Sequence, residues 1–152
     1  MKKPLFLLFA LFLCFTALTA CGAKTIAEPA ALAEALSQAD IYSTEIYPLD
    51  NSMIAQLFGV TADFSEAYGH VSAGDAADEL LVVVAADEEG AKTLLAQLET
   101  HMTTLSDTYS KYAADQCPRI EGGLLIRVGT TVVWCVSNNT DTAKQIVENY
   151  MK

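Results

Sequence analysis

The chain has 152 residues, with 9 Lys plus Arg against 19 Asp plus Glu and a formal net charge of -10. That length holds about one domain, and 52% apolar residues is too high a share for a disordered chain. The shortage of basic side chains argues against a nucleic-acid binder, because phosphate contacts need a basic footprint.

Lys2 and Lys3 form a short basic region, and Leu5 to Phe15 is an uninterrupted apolar run. The run has the length of a signal-peptide core and is short for a membrane-spanning helix. It leads into Leu18-Thr19-Ala20-Cys21, which resembles the lipobox of bacterial lipoproteins. The resemblance implies a diacylglycerol on the Cys21 thiol (the acyl chemistry of palmitate), cleavage after Ala20, and Cys21 as the new N-terminus. An ordinary signal peptide or an uncleaved anchor is the alternative. The expected organisation is a signal peptide over 1–20, a lipidated tether over 21–28 and a single domain over 29–152. Such a chain is attached to the outer face of the cell membrane, or to the outer membrane if the source is Gram-negative. Beyond residue 20 there remain 7 basic and 19 acidic residues, a net charge of -12. A domain so acidic is expected not to lie flat on anionic lipid.

Ala31, Leu32, Ala35, Leu36 and Ala39 recur at helical spacing behind Pro29, which predicts a helix over 29–40. Ile41 to Tyr47 suits an extended segment that Pro48 ends. Asp50 or Asn51 caps a short helix through Phe58, closed by Gly59. Phe64 to Val71 alternates weakly, as a strand. Asp75, Asp78 and Glu79 do not fit a calcium loop and are taken as a solvated turn. Leu80 to Ala86 is a continuous apolar run suited to a central strand buried on both faces.

Asp87 is placed to cap a long helix whose stripe is Ala91, Leu94, Leu95, Leu98, Met102, Leu105, Tyr109 and Tyr112. Glu88–Lys92 and Asp107–Lys111 are spaced for i,i+4 pairs on it. Leu124–Val128 and Thr131–Val136 form a hairpin across Gly129-Thr130, pairing Val128 with Thr131 and Leu124 with Cys135. Asn139 or Thr140 caps a last helix carrying Ala143, Ile146, Val147, Tyr150 and Met151. The β-β-α-β-β-α order predicts an α+β fold: a two-layer domain with an antiparallel sheet of about four strands, helices on one face, and an extra N-terminal helical segment.

Glu79 before Leu80–Val84, a long helix ending near Tyr109 and Tyr112, and a strand–Gly129–strand hairpin also resemble a family of small Gram-positive membrane lipoproteins carrying a domain of unknown function. The resemblance spans roughly Ser52 to Lys152. It brings no catalytic residues, and a Cys117/Cys135 pair is not among the features it implies.

Candidate sites are few. His70 and His101 lie far apart in sequence and outside any metal-spaced cluster, so both read as surface or core-edge residues. No metal and no cofactor is expected. Cys117 and Cys135 are disulfide candidates in an oxidising envelope, against two buried free thiols. On the hairpin, Leu125, Val132 and Trp134 lie on a second largely apolar face. Either Pro29–Phe58 covers it, the favoured reading, or it stays open as an interaction patch. The expected function is that of a non-catalytic, lipid-anchored binding module, held to the membrane through Cys21 and contacting an envelope protein or a cell-wall component. An envelope hydrolase with a spatially assembled triad and a small-ligand-binding lipoprotein are the alternatives.

Overall fold

A computed structural model describes residues 24–152. Residues 1–20 and Cys21, which carry the signal-peptide and lipidation readings, lie outside the described residues. Among the described residues the chain forms five helices and one open antiparallel sheet of five strands. In chain order these are α1 (Pro29–Ser37), β1 (Ile46–Leu49), α2 (Asn51–Phe58), β2 (Phe64–Ser72), β3 (Glu79–Ala85), α3 (Glu88–Tyr109), α4 (Cys117–Glu121), β4 (Leu124–Val128), β5 (Thr131–Val136) and α5 (Thr140–Asn149). The strands lie in the order β1-β2-β3-β5-β4.

Local signals set most boundaries. The Asp50 carboxylate accepts from the Met53 amide at 2.9 Å and opens α2, and Gly59 closes it in the left-handed region at φ 64°. Asp87 does the same for α3 through Gly90 N–H at 2.7 Å, and Asn139 for α5 through Thr142 N–H at 3.0 Å. The hairpin has the expected register, Val128 opposite Thr131 and Leu124 opposite Cys135. Gly129 supplies the positive φ, 60°, at the first turn position. Lys92 pairs with Glu89 rather than Glu88, and α3 ends at Tyr109, leaving Lys111 and exposed Tyr112 beyond it.

The fifth strand is β1. Pro48, expected to end an extended segment, sits inside it opposite His70. A proline is tolerated there because β1 is an edge strand, with one side that needs no N–H.

The expectation of helices on one face is overturned. β3 and β5 are apolar on both sides, and each face of the sheet carries its own core. On one, Leu81, Val83, Val132, Trp134 and Val136 pack against Ala91, Leu94 and Leu98 of α3 and Ile54 and Phe58 of α2. On the other, Leu80, Val82, Leu124, Val128, Val133 and Cys135 pack against Leu32 and Leu36 of α1 and Ala143 and Val147 of α5. The molecule therefore has three layers. Gly69 on β2 lets α2 come close, since a Cβ there would meet Ile54 Cγ1 at 2.7 Å.

This arrangement also removes the interaction patch. Trp134 and Val132 are fully buried and Leu125 is partly buried against the same core. Their main cover is α3 together with α2, whereas α1 covers the opposite face. Thr25 and Ile26, which fall within the segment expected to be a tether, pack on the domain. Ile26 is buried and bridges Met151, and Thr25 exchanges backbone hydrogen bonds with Lys152 at 3.1 and 3.0 Å.

Trp134 fills the centre of the α3 face, so Trp134→Ala opens a cavity that the helices cannot fully close. The expected loss is about 3–5 kcal/mol, read as a lower urea midpoint with an unchanged m-value.

Candidate functional site

Two consecutive carboxylates at the start of β3 organise the polar interior. Asp78 and Glu79 belong to a stretch expected to be a solvated turn, yet the Asp78 side chain is fully buried and that of Glu79 is only 12% exposed. The strand pleat sends neighbouring side chains to opposite sides, so the two acids serve different parts of the molecule.

Asp78 is a hub for the loops. Its Oδ2 accepts from the Ser43 amide at 3.0 Å, the Thr44 amide at 3.2 Å and the Ser43 hydroxyl. Its Oδ1 accepts from Arg119 Nη1 of α4 at 2.8 Å. The same guanidinium donates to Ser43 Oγ and Asn138 Oδ1, each at 2.8 Å, and through Nη2 to Gln116 Oε1. The segment before β1, the start of β3, α4 and the exit of β5 thus meet at one ion pair. Burying a carboxylate is costly without charge and hydrogen-bond partners, and here it has both.

Glu79 faces the α3 side. Its Oε2 accepts from Trp134 Nε1–H at 2.8 Å and lies 2.7 Å from His101 Nε2. The His101 ring stands edge-on to Trp134, with centroids 6.2 Å apart, and is tilted against Phe58 at 5.1 Å. His101 is therefore a core-edge residue, as its isolation in sequence suggested, and it has a specific charged neighbour. It also lines an open groove of about 350 Å³ between α2 and α3, with Gln56, Leu57, Gly59, Thr100 and Thr104 around it. Leu57 is 48% exposed at the rim.

A carboxylate bonded to one imidazole nitrogen fixes the ring's orientation and the place of its proton, which is the arrangement that prepares a general base. The hydroxyls nearest in sequence are committed elsewhere. Thr100 Oγ1 donates to the Ala96 carbonyl and Thr104 Oγ1 to the Thr100 carbonyl, both at 3.0 Å along the helix. His70 stands apart from this group. It is on β2, half-buried, with Nδ1 unpartnered, and burial lowers its pKa from the usual histidine range.

Of the two readings open for Cys117 and Cys135, a disulfide or two free thiols, the structure has the free thiols. Cys135 is buried with the α1 and α5 core, while Cys117 packs at the edge of the α3 core, so the sheet lies between them. Cys117 Sγ donates to the Ser106 carbonyl at 3.5 Å. Cys135 Sγ is 3.6 Å from the Tyr42 hydroxyl. Burial pushes the Cys135 thiol up to about 11 and raises Tyr42 as well. Among the described residues there is no group of three or more His, Cys, Asp or Glu side chains able to hold a metal, and no helix long and apolar enough to cross a membrane.

Sequence reasoning missed Asp78, Glu79 and Arg119 as interior residues. The available signal was Trp134 itself, since an indole N–H on a buried strand needs an acceptor and Glu79 opens the neighbouring strand.

Arg119→Met leaves Asp78 buried without its cation. The expected cost is about 3–5 kcal/mol, read by chemical denaturation. The thiols give a second check. Both should be unpaired by mass under non-reducing conditions. In the folded chain Cys117 should alkylate well before Cys135, whose thiol stays protonated and covered until the pH approaches about 11.

Residues 39–137 match the model of a family described as Domain of unknown function (DUF4358), and the chain belongs to that family. No curated protein and no solved structure matches it.

Proposed function

We propose that this family member is a lipid-anchored protein of the bacterial cell envelope, tethered through Cys21, that binds a partner non-catalytically at the groove between α2 and α3. The observation that carries the reading is the sequence Leu18-Thr19-Ala20-Cys21 behind an apolar run, four residues ahead of Thr25, whose backbone pairs with Lys152. Cleavage after Ala20 would leave almost no free chain between lipid and fold.

The interior chemistry supports binding over turnover. The Asp78–Arg119 pair ties four segments together, and Glu79 anchors an indole and an imidazole of the framework. The groove presents the apolar Leu57 rim beside the His101 imidazole and the Gln56 amide, a mixture suited to an envelope protein or a cell-wall component. A hydrolase is the second reading, and the observation favouring it is the Glu79–His101 pair at the groove.

Replacing Cys21 with Ser removes the lipid acceptor, so fatty-acid labelling of the protein should be lost and its precursor retained. Persistent labelling of Cys21→Ser overturns the anchor. In the same cells Thr104→Trp, which fills the groove from an exposed helix position, should reduce partner capture from detergent-solubilised membranes. It should leave the melting temperature near that of the parent chain. Equal capture by the two proteins would move the contact surface elsewhere.

A further inference from the structure

A concavity larger than the α2–α3 groove lies at the end of the molecule that holds Lys24 and Lys152. It is a groove of about 800 Å³ lined by Lys24, Arg127, Gly129 and Lys152, with Met151 at its side and Glu88 and Glu148 among its walls. Lys24 and Thr25 rest on the β4–β5 turn, where a Cβ on Gly129 would meet the Lys24 carbonyl oxygen at 3.3 Å. The Thr25–Lys152 hydrogen bonds hold the last residues in the same place.

Charge is distributed unevenly about this end. Of the seven basic residues beyond residue 20, three line the groove, together with two of the nineteen acidic ones; the rest of the chain holds four basic against seventeen acidic residues. Lys24, Arg127 and Lys152 are all exposed. The exposed Arg127 side chain makes one hydrogen bond among the described residues, from Nη1 to the Gly129 carbonyl at 2.9 Å. Elsewhere Arg119 is consumed by Asp78 and Lys92 by Glu89.

We infer that the groove of Lys24, Arg127 and Lys152 is the membrane-facing surface of the domain and rests on the headgroups of anionic phospholipids. The inference depends on the Cys21 anchor and goes further by naming which surface meets the bilayer and what chemistry it meets. Only Gly22 and Ala23 separate Cys21 from Lys24, so a lipid on Cys21 would lie within about 10 Å of Lys24 even with the chain fully extended. An anionic surface attracts the basic end and repels the acidic remainder, with both effects concentrated within a Debye length of about 8 Å. The two forces turn the molecule the same way. The high net negative charge, which argues against the domain lying flat, here favours the end whose groove holds more cations than carboxylates. α3 begins at Glu88 in this groove and runs about 33 Å to Tyr109. Tyr109 donates to the Ala76 carbonyl just ahead of Asp78, so the Asp78–Arg119 cluster lies at the far end.

The test uses the full chain purified from membranes and placed in vesicles of phosphatidylcholine, with or without phosphatidylglycerol. Lysines are acetylated with a water-soluble reagent and read by mass spectrometry, and flotation reports membrane attachment. With phosphatidylglycerol present, Lys24 and Lys152 should react several-fold more slowly than in phosphatidylcholine alone, while Lys111 at the far end reacts equally in both. Arg127→Glu should abolish the protection, Arg127→Lys should keep it, and high salt should relax it. A chain that floats but whose Lys24 and Lys152 react as fast as Lys111 on both vesicles overturns the orientation and leaves the anchor standing. Protection that is equal with and without phosphatidylglycerol overturns the recognition of anionic headgroups. A chain that floats with neither vesicle overturns the anchor, and the inference falls with it.

Discussion

Water must be kept from both sides of the two central strands, and the rest of the architecture follows from that requirement. β3 runs Glu79-Leu-Leu-Val-Val-Val-Ala85 and β5 runs Thr131-Val-Val-Trp-Cys-Val136, with no polar side chain in their middles. A half-solvated antiparallel sheet alternates polar and apolar residues; these strands do not, so each face needs its own cover. α3 and α2 serve one face and α1 and α5 the other. β2, one strand further out, already returns to a mixed pattern, and β1 at the edge admits a proline.

The polar residues of the interior fit this scheme because they sit at one end of the strands. Asp78 and Glu79 mark where β3 begins, so their carboxylates reach the loops and helix ends instead of interrupting the apolar middle. Asp78 collects amides, hydroxyls and a guanidinium from segments distant in sequence, while Glu79 gives the indole of Trp134 its acceptor. A buried ion pair of this kind is weak as a source of net stability, but losing one partner is severe. It acts more as a condition on how the loops close than as a gain for the fold.

Elements whose signals are local could be read from the sequence. Asp50, Asp87 and Asn139 announce three helix starts, Gly59 one end, and Gly129 the hairpin turn with its register, because each residue acts within a few positions of itself. The errors involve relations across the chain. Periodicity identified the apolar pattern of α1 but could not say which face of the sheet it would cover. Cys117 and Cys135 are close in sequence, and only the sheet between them separates their thiols. The same holds for the candidate site. His101 is isolated in sequence, and its partner Glu79 is recognisable only once β3 and α3 are seen to pack together. A Glu beside two other acids looks solvated until Trp134 is placed opposite it.

The pairing of Thr25 with Lys152 has a mechanical side. In a chain tethered at Cys21, tension between the bilayer and a bound partner enters the fold at Lys24. The first bonds in its path are the two hydrogen bonds between Thr25 and Lys152, followed by the Ile26 side chain in its pocket. Both bonds join the one pair Thr25 and Lys152 and are few against the ladders of the sheet. Modest force should therefore free the segment ahead of Pro29 while the five-stranded sheet stays intact. In such an anchored chain the released residues would lengthen the tether by roughly 3.3–3.6 Å each, a slack taken up before the core would bear any load.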